Sequence, residues 1–319
     1  MMKSKITVFV VLLLVMMTVS AFAAGGKEGP TFVNVASGGT GGTYYPLAGA
    51  MANIWQDNIE NVNVSAQSTG ASVANVNLLK EGNADVIFVQ NDIAYYAMNG
   101  QEMFKDNAFK DMAGFATLYP ETIQIIALVE SGITTVADLK GKRVAVGAAG
   151  SGTEANARQI MAAAGLTYAD VTVQYLNFNE AASNLKDGNV DAAFVTAGHP
   201  TAAVQDVAAT KNIRIVKVDA AMAAKLNAQY PFYTRTTVPA GTYRGVDANV
   251  ETVAVKAMLV VSNKLSANLV EQMAKALFAN NDRLTAAHRM GALVTIPNAQ
   301  DGMSLPLHPG ADKFYKAAK

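Results

Sequence analysis

The sequence predicts an α/β protein made of two similar lobes, on three observations. A strand, a glycine-rich turn and a helix follow one another twice along the chain. A phrase at residues 79–89 aligns without a gap on residues 185–195. The 319 residues, 51% of them hydrophobic, are more than one average core requires.

The elements follow in chain order. Lys3 and Lys5 precede an apolar run over residues 6–19 and the small-x-small site Ala21-Phe22-Ala23. That order predicts a signal peptide over residues 1–23, cleaved after Ala23, because a spanning helix wants about 20 apolar residues and the run is shorter. The chain has no cysteine, so no lipid-attachment site, disulfide or thiolate nucleophile is available, and an unanchored periplasmic protein is expected.

The first unit is a strand at residues 32–36, the turn SGGTGGTYYP at residues 37–46, and a helix marked by Leu47, Met51, Ile54 and Trp55. The second is a strand at 142–146, the turn GAAGSG at 147–152, and a helix at 153–164. In the repeated phrase each copy reads as a helix end, a Gly/Asn turn, an aspartate (Asp85, Asp191) and a buried apolar strand. A strand at 123–129 carries the chain into the second lobe. The return falls in turn-rich residues 230–253, followed by a strand at 253–261 and a helical stretch at 268–287. The expected division is residues 24–121 for lobe I, 122–235 for lobe II, and 236–319 for the second part of lobe I with the return crossing. Two crossings would form the hinge.

Charge and motif exclusions narrow the function. Basic and acidic residues balance at 25 each, and no basic cluster exceeds Lys140-Gly141-Lys142-Arg143, so a nucleic-acid partner is not expected. The run Gly38 to Thr43 lacks the lysine of a phosphate-binding loop. Gly150-Ser151-Gly152-Thr153-Glu154-Ala155 fits a dinucleotide fingerprint, but the next strand ends in Asn177-Phe178-Asn179 without the acidic residue that a ribose requires. His199, His288 and His308 share no metal-ligand spacing, and no catalytic motif is present. Neither an enzyme nor a cofactor or metal protein is expected.

Glycine turns that open helices are anion seats, because free backbone N–H groups point outward from a partly positive terminus. The first turn adds Thr40, Gly41, Thr43 and Tyr44. The second adds Ser151, Gly152 and Thr153, with Ser151 and Glu154 also spaced as a capping box, which alone would explain them. Gln90 stands at a strand end where open α/β sheets bind ligands, while Asp92 reads equally as a helix cap.

The phrases GGTGGTYYPLAGAMA, FVQNDIAYYA, GSGTEANARQIM, TTVPAGTYRG and PLHPGADKFY together resemble the TAXI family of TRAP-transporter solute receptors. The resemblance spans nearly the whole chain after residue 32. It implies a two-lobed type II periplasmic-binding-protein fold with a ligand cleft between the lobes, and TRAP membrane subunits as partners of a monomeric receptor. The implied ligand is glutamate, glutamine or a related organic acid. Matching motif positions carry over Thr43, Tyr44, Gln90, Ser151, Gly152, Thr153 and Asn156 as ligand contacts, with Gly198 and His199 beside them. Arg158 and Arg235 are the options for a carboxylate clamp. A ligand-sensing subunit of a membrane signalling system is the alternative on the same fold, and a dinucleotide-binding enzyme the more distant one.

Overall fold

The computed structural model describes residues 29–318, so the predicted signal peptide lies outside the described residues. The chain runs β1 (Thr31–Ala36), α1 (Tyr44–Asn58), β2 (Val62–Gln67), α2 (Ser72–Glu81), β3 (Val86–Gln90), α3 (Asn91–Asn99) and the long β4 (Met112–Leu128). There follow β5 (Arg143–Ala145), α4 (Gly152–Ala163), β6 (Thr172–Gln174), α5 (Phe178–Lys186), β7 (Ala192–Ala197), α6 (Ala202–Thr210), β8 (Ile213–Val216) and α7 (Ala220–Gln229). The chain ends with β9 (Thr234–Val238), β10 (Val250–Ser262), α8 (Ala267–Ala279), α9 (Asn281–Ala287) and α10 (Pro309–Ala317).

All ten strands join one sheet in the order β2-β1-β3-β10-β4-β7-β5-β6, with β8 added to β4 and β9 to β10. The neighbours β1/β3, β5/β6 and β5/β7 are parallel, as strand-helix-strand units require, whereas β4 and β10 run antiparallel to each other and to their flanks. Apolar runs such as VIFV in β3 are buried on both faces. Val86 and Phe88 pack under α1, α8 and α10 with Leu47, Trp55 and Leu277, while Ile87 and Val89 face α2 and α3 with Val76, Leu79 and Ile93. In β7, Phe194 packs with Ile160 and Met161 of α4, and Val195 with Leu185 of α5 and Val204 of α6. Each half of the sheet is thus covered by helices on both faces, which gives two lobes of one architecture.

The repeated phrase is a structural device used twice. Gly82 and Gly188 both adopt φ above +70° at a helix end, a conformation costly for any residue with a Cβ. Asp85 Oδ2 accepts from Asn34 N at 2.9 Å and Asp191 Oδ2 from Arg143 N at 2.8 Å, so each aspartate locks its strand in register beside its parallel neighbour.

Two expectations need correction. The strand expected at 123–129 is the second half of β4, which serves both lobes: Ala113 and Thr117 pair with Val261 and Met258, and Ile123 to Ala127 pair with β7. The helix expected at 268–287 breaks at Asn280, whose φ of −123° and ψ of 38° are not helical. Val238, Tyr243 and Val246 pack with Val195 and Val204, and Val253 and Val255 with Ile123 and Ile125. Among the described residues no helix is long and apolar enough to cross a membrane.

Candidate functional site

The C-terminal ends of β1, β3, β5, β6 and β7 converge on a cavity of about 50 Å³. A single water needs roughly 10–15 Å³ on the same measure, so the space suits a small ligand. Gly38, Gly39, Gly42, Thr43 and Tyr44 line it from the first glycine turn, and Thr69, Gly70, Ala71 and Ser72 from the start of α2. Gln90 ends β3, Glu121 projects from β4, Ala148, Ser151, Gly152 and Thr153 form the second turn, and Asn177, Phe178, Thr196 and Ala197 complete the wall.

The second turn presents the N-terminus of the twelve-residue α4. Ser151 is its N-cap, its Oγ accepting from Glu154 N at 3.1 Å. The reciprocal half of the expected capping box is not made, because Glu154 instead takes the Tyr168 hydroxyl at 2.7 Å and sits 3.5 Å from Arg158. The N–H groups of Gly152 and Thr153 occupy the first two helical positions, which have no partner within a helix. Gln90, only 2% exposed, lies flat on Gly152: a Cβ there would come within 2.4 Å of the Gln90 Cδ, so no other residue fits without moving that amide. Gln90 Oε1 is a buried acceptor with no partner.

In the same cavity, Tyr44 donates its hydroxyl to Glu121 Oε2 at 2.8 Å. Both are buried, and burial, then the charge of Glu121, pushes the Tyr44 hydroxyl well above its ordinary value. Burial pushes the Glu121 carboxyl up to about 8, opposed by the Tyr44 hydrogen bond and reinforced by the charge of Asp92. Asp92 is itself pushed up to about 7 by burial, against the hydrogen bonds of Ile93 N and Asn156.

Six of the eleven site residues expected from the sequence line the cavity: Thr43, Tyr44, Gln90, Ser151, Gly152 and Thr153. The other five hold structure around it. Thr40 Oγ1 accepts from Asn179 Nδ2 at 2.9 Å, and the Gly41 carbonyl from Ala203 N at 3.2 Å, so both tie the first turn to α5 and α6. The Gly198 carbonyl accepts from Thr43 Oγ1 at 3.0 Å, and His199 Nδ1 lies 3.1 Å from Thr122 Oγ1, beside a cis bond to Pro200. Asn156 is wholly buried, spanning Asp92 at 3.3 Å, Tyr233 at 3.0 Å and Thr196 at 3.1 Å. Neither arginine lines the cavity: Arg158 pairs with Glu154 and Glu102, and Arg235 with Glu251 at the surface.

Glu121, Ser72, Thr69, Asn177, Phe178 and Thr196 line the cavity without having been anticipated as site residues. A signal for Glu121 did exist. It is the single charged residue of the 17-residue strand β4, and an acid in a strand buried almost throughout calls for an explanation. No group of three metal-ligating side chains occurs among the described residues.

Known structures share this architecture at low sequence identity. PhnD1 from Prochlorococcus marinus, solved with methylphosphonate, superposes with a TM-score of 0.56 at 9% identity, over 83% of this chain and 92% of that one. The alkanesulfonate-binding protein SsuA from Xanthomonas axonopodis pv. citri, bound to MOPS, gives 0.50 at 15% identity, over 91% and 84%. The fold is therefore that of the two-lobed periplasmic solute-binding proteins. Residues 35–318 match the NMT1-like family, and the chain belongs to that family.

Proposed function

We propose that the protein is the extracytoplasmic solute receptor of a TRAP-type transporter of the TAXI kind. It captures a small carboxylate-bearing solute, such as glutamate, glutamine or a related organic acid, and delivers it to the membrane subunits without chemical change. The observation that carries this reading is the cavity itself. The free N–H groups of Gly152 and Thr153 at the start of α4, with Ser72, Ser151 and the Gln90 amide, supply neutral donors of the kind that bind an anion without a basic side chain. The groups come from both halves of the sheet. Contacts such as Thr40 with Asn179 and Thr43 with Gly198 would form as the lobes close, so a bound solute would stabilise the closed state.

Thermal denaturation in the presence of a panel of glutamate, glutamine, 2-oxoglutarate and dicarboxylates tests the reading. A ligand at 100 times its Kd adds about 2.7 kcal/mol of stability, enough to raise Tm by several degrees. A shift with a sugar or nucleotide and none with any acid would overturn it.

A further inference from the structure

The cavity holds a carboxyl group but no base. None of its lining residues is lysine, arginine or histidine, and its ionisable members are Glu121 and Tyr44. After the protein's own donors are counted, Gln90 Oε1 is buried without a partner, and Glu121, once ionised, offers a second free acceptor: it receives the Tyr44 hydroxyl on Oε2 while no hydrogen bond ends on its Oε1 among the described residues. A ligand carrying acceptors alone would satisfy the α4 N-terminus and leave these oxygens unmatched. A ligand that also carries N–H donors fills both kinds of vacancy.

We propose that Glu121 is a specificity-determining residue that accepts hydrogen bonds from a protonated amine of the ligand, so that the cavity prefers an amino acid to the acid of the same skeleton lacking the amine. The inference rests on the carboxylate-receptor reading above and deepens it. Because burial pushes Glu121 up to about 8, the empty cavity holds it mostly protonated at neutral pH. An ammonium brought against it favours the carboxylate form. The carboxylic acid and the ammonium then become an ion pair, and the carboxyl proton passes to solvent. Two titratable groups influence Glu121, Tyr44 from α1 and Asp92 from α3, while Glu121 in turn raises Tyr119 of its own strand. On β10 the residue opposite is Val255, and the adjacent Lys256 is held by Asp301 at 2.6 Å. No neighbouring base therefore competes for the Glu121 carboxylate.

Calorimetric titration at pH 7 in two buffers of different ionisation enthalpy, with the pairs L-glutamate/2-oxoglutarate and L-alanine/pyruvate, tests the proposal. For the pair that binds, the amino acid should bind at least about tenfold more tightly than its keto acid. Its binding should release close to one proton, and the release should vanish above about pH 9. Glu121→Gln, which keeps the shape and removes the titration, should abolish the release and reduce the preference to less than about threefold, with an unchanged ligand-free melt. Equal or tighter binding of the keto acid, or binding of the amino acid without proton release, overturns the role of Glu121 while leaving the receptor reading intact. Absence of binding by every acid of these pairs and of the thermal-denaturation panel overturns the receptor reading and this inference with it.

Discussion

A single serine separates a well-made helix start from a ligand seat. Ser151 caps α4 through Glu154 N and also faces the cavity, so Ser151→Ala conflates the two roles, costing about 1 kcal/mol of stability through the lost cap. Ser151→Asp separates them. Aspartate caps as well as serine and its charge suits the helix dipole, so the ligand-free Tm should stay within a few degrees of wild type. The same charge repels an incoming carboxylate, and affinity for the tightest acid of the panel should fall at least about tenfold, or roughly 1.4 kcal/mol. Unchanged affinity would mean that the α4 N-terminus is not the carboxylate seat. The residues most legible in the sequence were those whose role is local: a cap, a glycine turn, a strand-end amide. Ser72, Asn177 and Phe178 reach the cavity only through tertiary folding, and nothing in their neighbours announces it. Thr40, Gly41, Gly198 and His199 lie beside the cavity, but their partners, Asn179, Ala203, Thr43 and Thr122, are too far along the chain for sequence to reveal that they join segments instead of lining it.

Among elements, the repeated strand-turn-helix units were readable because the chemistry that makes them is contiguous. The two long strands were not. Half of β4 contains Gly114 and small residues that carry no alternation, since the strand is buried on both faces and pairs with different partners along its length. β10 likewise passes two register shifts, at Lys256/Met258 and Leu259/Val260. At the first of these, Lys256 N donates to Asn91 Oδ1 at 3.0 Å, and Asn91 Nδ2 in turn donates to the Gly302 carbonyl at 3.2 Å. Asn91→Ala strips both partners and leaves a half-buried amide unpaired, with an expected loss of about 1–3 kcal/mol. Hydrogen exchange localises the effect: the Lys256 amide should exchange faster in the variant, while amides of β3 and β7 keep their relative protection. Unchanged exchange at Lys256 would show that Asn91 does not hold the irregularity together.

At the scale of the molecule, the sequence conveyed two lobes and two crossings because it repeats itself and because its length fills two cores. Where the crossings fall depends on strand pairing, which no local pattern encodes. Cleft closure is the expected large-scale response, and the scattering radius of the protein should fall when a saturating acid ligand is added. An unchanged radius, with binding confirmed by calorimetry, would reject a closing cleft. The crossings themselves set the character of that motion. Since β4 and β10 are adjacent, antiparallel and hydrogen-bonded to each other as they pass from one half of the sheet to the other, the joint behaves as a leaf spring and not as a pair of strings. The lobes cannot slide apart or swivel independently without breaking the ladder, which leaves flexing at the irregularities of β10 as the soft coordinate. Under the proposed receptor function, a membrane partner gripping both lobes would eject the cargo by applying torque along that one direction, with no need to reach the solute itself.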